Sequence, residues 1–88
     1  MKYTIYTINV TEDDIKNGKP KESMHCPVAI ACHRAAPDHN FSILHDEIEV
    51  DESGVIAECP WSVFDFVEAF DSGRKVQPFT FELELVEL

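Results

Sequence analysis

The sequence predicts an α+β fold: a two-layer sandwich in the order β-α-α-β-β-α-β, with a four-stranded, mainly antiparallel sheet and two helices on one face. Three observations carry it. Both ends of the chain alternate apolar and polar residues with the period of a strand, KYTIYTINV at 2–10 and FTFELELV at 79–86. Between them, Val28, Ala31, Cys32 and Ala35 fall at i, i+3, i+4 and i+7, and so do Val63, Phe66, Val67 and Phe70. Each set is the stripe of a helix buried on one side. At 88 residues, 44% hydrophobic and 27% charged, the chain has the composition of a globular protein and room for one domain, 1–88.

The first strand places Tyr6, Ile8 and Val10 on one face and Tyr3, Ile5, Thr7 and Asn9 on the other. Thr11 then offers an N-cap, Glu12, Asp13 and Asp14 favour the first turn of a short helix, and Gly18 stops it. A polar loop with Pro20 leads to Cys26-Pro27, where proline suits the first position of the next helix. Pro37 ends that helix. Residues 41–51 read as one strand, with Leu44, Asp46, Ile48 and Val50 on one face and Ile43, His45, Glu47, Glu49 and Asp51 on the other. Glu52-Ser53-Gly54 is a turn, from which residues 55–59 return as a hairpin. Cys59-Pro60 opens the last helix, Ser72-Gly73 closes it, and Pro78 begins the last strand.

Charge narrows the function. The net charge is −10, and residues 1–37 hold five basic against four acidic residues while 38–88 hold two against thirteen. Such a field repels nucleic acid and anionic membranes and attracts basic surfaces. Direct nucleic-acid binding and membrane association are therefore not expected. Met1–Val10 lacks the basic start and apolar run of a signal peptide, and three cysteines without signs of export point to reduced thiols in the cytoplasm.

No motif announces catalysis. With three glycines there is no phosphate-binding loop, and neither Gly-x-Ser-x-Gly nor His-Glu-x-x-His occurs. His25, Cys26, Cys32, His33 and Cys59 are the residues a metal- or thiol-dependent module would use. Cys26 and Cys32, six apart on a helix, diverge by about 120°, and the spacing departs from structural zinc sites. Cys32 is then a small core residue, and Cys26 and Cys59 belong to the helix starts. No enzyme, metal or cofactor is expected.

Two surface features remain. Glu47, Glu49, Glu82 and Glu84 alternate along strands, which spaces successive carboxylates by about 6.5–7 Å, close to the spacing of phosphates in nucleic acid. The array is either the ordinary wet face of a sheet or a nucleic-acid mimic for a basic groove. Trp61 and Phe64 lie off the stripe of the last helix. They either widen its buried face or, if exposed beside Asp65 and Glu68, form an interface anchor.

Residues 11–18 (TEDDIKNG), 26–34 (CPVAIACHR) and 78–83 (PFTFEL) give the chain a resemblance to a group of short phage and prophage proteins of unknown function. That group opens with a strand and a T-x-x-D-I-x-x-G turn, continues to a C-P-V-A-x-A helix and ends on a P-F-x-F-E-L strand. The motifs are structural, so the resemblance carries over no catalytic residue. It implies a phage-like setting, in which small acidic proteins, anti-CRISPR proteins among them, bind and block a host component. The expectation is a non-enzymatic interaction protein that docks on a basic, nucleic-acid-handling host protein through Glu47, Glu49, Glu82, Glu84, Trp61 and Phe64. The alternatives are the metal- or thiol-dependent module and a homo-oligomer that pairs through its sheet edge or its aromatics.

Overall fold

A computed structural model describes residues 2–44, 47–51, 55–57 and 59–87. The elements run β1 (Lys2–Val10), α1 (Glu12–Asn17), α2 (Pro27–Ala35), β2 (Phe41–Ile43), β3 (Ile48–Val50), β4 (Val55–Ala57), α3 (Trp61–Asp71) and β5 (Phe79–Glu87). The protein is α+β with antiparallel sheets. The strands do not form the expected four-stranded sheet: β1 and β5 pair as a long ribbon, while β2, β3 and β4 make a separate three-stranded sheet. In the ribbon Lys2 lies opposite Glu87 and Val10 opposite Phe79, in one unbroken antiparallel register. β4 runs beside β5.

The second correction lies in residues 41–51, expected as a single strand. The Leu44 N–H donates to the Glu47 carbonyl at 2.8 Å, so the chain has reversed direction between them. Parity explains the reversal. One continuous strand would put Ile43 on the face opposite Ile48 and Val50; folding back sets Phe41 opposite Val50 and Ile43 opposite Ile48. All four then point into the core and are at most 4% exposed, whereas Leu44, expected inside, is 38% exposed. His45 and Asp46, like the expected turn at Glu52-Ser53-Gly54, lie outside the described residues.

One core joins both sheets to α2 and α3. It collects Ile8 and Val10 from β1, Val28, Ala29, Ala31 and Cys32 from α2, Val63, Phe66 and Val67 from α3, and Phe81, Leu83 and Leu85 from β5. The α2 stripe is shifted by one residue pair from expectation, since Ala29 is buried and Ala35 exposed. Phe66 bridges α3 to the ribbon, its ring 4.8 Å from that of Phe79. Small residues let α2 sit close against β1.

α1 is short and depends on its neighbours. Thr11 caps it, its hydroxyl accepting from the Asp14 N–H at 3.2 Å while the Asp14 carboxylate accepts from the Thr11 N–H at 2.9 Å. Arg34 of α2 then grips the same carboxylate with two nitrogens, at 2.7 and 2.8 Å. A third donation, to the Asn9 carbonyl at 2.8 Å, ties the end of β1 into the same cluster. The guanidinium holds the Asp14 carboxyl below its ordinary value of 3.8 despite burial.

Candidate interaction surface

Strand alternation decides where the acids go. Phe81, Leu83 and Leu85 turn inward, so Glu82 and Glu84 stand on the outer face of the ribbon, opposite Thr7 and Ile5. Asn9 and Thr80 continue that face and are hydrogen-bonded to each other at 2.9 Å. On β3, Glu49 faces away from the core between inward Ile48 and Val50, opposite Ser42. Glu47 precedes β3, half-buried. Glu82 and Glu84 are therefore neighbours on one exposed face, while Glu49 belongs to the other sheet, Glu47 lies just before it, and both are only partly exposed.

Trp61 and Phe64 sit on α3, in the helical layer and apart from the outer sheet face. Trp61 is the first residue of the helix and is 77% exposed. Its ring meets Phe64 edge-on at a centroid distance of 5.7 Å, and Phe64 is half-buried. The inward stripe of Val63, Phe66 and Val67 leaves Trp61 no place in the core. Exposed Asp65 and Glu68 flank the pair along the helix. A large aromatic surface thus stands in water, set in acidic surroundings.

The cysteines and histidines do not converge. Among the described residues no three His, Cys, Asp or Glu side chains are grouped as metal ligands. Cys26 and Cys32 are buried and Cys59 half-buried. Burial pushes the Cys32 thiol up to about 12, with the Cys26 and Cys59 thiols adding to the rise. Cys26 caps α2, where the Ala29 and Val28 N–H groups favour its thiolate, yet burial outweighs them and raises it. His25 is exposed. His33 is half-buried, and its Nε2 accepts from the Phe41 N–H at 2.9 Å. His39 contacts Asp51 through Nδ1 at 2.7 Å, and the Asp51 carboxylate also accepts from the Asn40 N–H. These histidines hold α2 and the turn after it to the β2–β3 hairpin.

A cleft of about 270 Å³ opens between the loop before α2 and the end of α3, lined by Lys21, Ser23, Cys26, Ile43, Val67 and Asp71. Its walls are sewn together: the Lys21 N–H donates to the Asp71 carboxylate at 2.8 Å, and the Ile43 N–H to the Ser23 carbonyl at 2.8 Å. Burial raises the Cys26 thiol that lines it, which disfavours the thiolate there. Sequence reasoning did not single out this cleft, because its lining comes from three separate segments and follows no local motif.

No helix among the described residues is long and apolar enough to cross a membrane. No family model matches the chain, and neither a curated protein nor a solved structure proves similar to it.

Proposed function

We propose that this protein is a non-enzymatic interaction protein that docks on a basic surface of a partner protein, with Trp61 and Phe64 as the anchor. The observation that carries this reading is the exposure of Trp61, 77% on a helix that buries Val63, Phe66 and Val67. Aromatic side chains of this kind supply the largest single contributions at protein interfaces. The net charge of −10 sets the kind of partner, because it raises the rate of encounter with basic surfaces without requiring every carboxylate to make contact. Glu82 and Glu84, with Glu47 and Glu49 on the second sheet, supply the field and the aromatic pair the grip. In the phage-type setting that the resemblance implies, the partner is a nucleic-acid-handling host protein whose basic groove is blocked.

Three proteins immobilised in parallel test this: the natural chain, Trp61→Ala, and Glu82→Lys with Glu84→Lys. Partners captured from a bacterial lysate are compared at low and high salt. Trp61→Ala is expected to release the partner at least tenfold faster, and the charge reversal to slow its association and flatten its salt dependence. Capture of the same proteins to the same extent by all three would overturn the proposal.

A further inference from the structure

The face of α3 turned away from the core combines an aromatic surface with carboxylates. At about 100° per residue, Trp61, Phe64, Asp65 and Glu68 share one sector about 100° wide. Val63, Phe66 and Val67 lie on the opposite side of the helix and are buried. α3 also carries Asp71, and it has no basic residue. Phe64 meets the Trp61 ring edge-on, at 82° between the ring planes, which restricts how the indole can turn.

The carboxylates on this face are short of cations. Glu68 has Arg74, but at 3.9 Å and with both side chains at least half exposed, a pair that water and salt loosen. Asp65, exposed and one turn along from Trp61, makes no ion pair among the described residues. That decides between occupants. An apolar pocket closing over Trp61 would strip water from Asp65 and leave it without a partner, which is costly. A lysine ammonium is compact and strongly hydrated, and it surrenders more water to sit on a ring. A guanidinium is planar and weakly hydrated, so it stacks on an indole face while its edge N–H groups donate to a carboxylate.

Building on the reading of Trp61 as the interface anchor, we infer that the group it receives is an arginine side chain of the partner, stacked on the indole and held by Asp65, with Glu68 next along the same face. Charge and aromatic surface then divide the work. Residues 38–88, with two basic against thirteen acidic residues, draw basic surfaces in. The indole selects arginine among the cations that arrive. Steering by charge alone treats lysine and arginine alike, so a preference for arginine is the signature of Trp61 in contact.

Fluorescence anisotropy of labelled oligo-arginine and oligo-lysine peptides of equal length, titrated with the protein at about 150 mM salt, tests it. Oligo-arginine is expected to bind about fivefold more tightly than oligo-lysine. It should also change the emission of Trp61, which is the only tryptophan in the chain. Trp61→Ala should bring the two affinities together by weakening oligo-arginine alone. Asp65→Asn should narrow the same ratio, and it serves where the Trp61 variant does not fold. Both side chains are exposed, so each variant should keep the circular dichroism spectrum of the natural chain. Equal affinity for the two peptides, or an arginine preference that survives Trp61→Ala, would overturn the proposal. Equal affinities in a protein whose capture of lysate partners still requires Trp61 would remove the arginine and leave the anchor standing, so the two readings fail separately.

Discussion

Replacing Arg34 with alanine probes what holds the first third of the chain together. In the folded protein the Asp14 side chain is 3% exposed and its carboxylate accepts two guanidinium hydrogen bonds as well as the Thr11 N–H. Arg34→Ala leaves that carboxylate with backbone and hydroxyl partners only. Breaking a fully buried ion pair costs about 3–5 kcal/mol. The Arg34 side chain, however, is 51% exposed, so water reaches the space it vacates and the cost falls to about 2 kcal/mol. For a domain of this size that lowers Tm by about 10 °C. Urea unfolding followed by far-ultraviolet circular dichroism is the suitable assay, because Trp61 is already in water and its fluorescence reports unfolding poorly. The sign with pH follows from the lowered Asp14 carboxyl. Its stabilisation is whole above the ordinary value of 3.8 and is lost as pH falls through the lower folded value. The gap between the natural protein and Arg34→Ala should therefore close in strong acid. A loss below about 0.5 kcal/mol at neutral pH, or a gap that widens in acid, would refute the reasoning.

His33 should make stability fall on mild acidification. Burial, with a smaller push from His25, lowers its pKa from 6.5, so the neutral ring that accepts from Phe41 is favoured in the folded state. The stabilisation is whole above 6.5 and shrinks as pH falls toward the lower folded value. His33→Gln, which keeps an acceptor, should flatten the urea midpoint between that pH and about 5; an unchanged slope would count against the assignment. Gly18 tests close approach rather than backbone freedom. Its φ of −72° suits any residue, but an added Cβ would lie 2.5 Å from Pro27 Cδ and 2.6 Å from Cγ. Gly18→Ala should thus cost about 1–3 kcal/mol through overpacking against the start of α2, and a neutral thermal melt would contradict that contact.

Local chemistry in the sequence located most elements. The Thr11 cap, the two Cys-Pro helix starts, the Gly73 stop at φ +78° and the inward Phe79, Phe81, Leu83 series all act within a few residues of where they are read. What escaped depends on tertiary context. The reversal between Leu44 and Glu47 has no glycine, proline or asparagine beside its described ends, and only the shared burial of Phe41, Ile43, Ile48 and Val50 demands it. Asp14 reads as one of three acids in a first turn, and its burial follows from Arg34, twenty residues away. The exposure of Trp61 depends on tertiary context in the same way: a tryptophan off the helical stripe is inside or outside according to how wide a sheet the helix covers. Here α3 commits only Val63, Phe66 and Val67 to full burial.

The acidity of the outer ribbon face is not something the fold requires. Asn9, Thr7 and Thr80 occupy equivalent positions on that face and satisfy it with neutral polar groups. Ile5 shows that the face tolerates even an exposed apolar residue, directly opposite Glu84. Alternation asks for side chains that tolerate water at 82 and 84, and threonine would serve there as it does at 80. Carboxylates there add nothing to the core. Their consequence is a field directed outward, which accelerates the approach of a basic surface and slows the approach of a second copy.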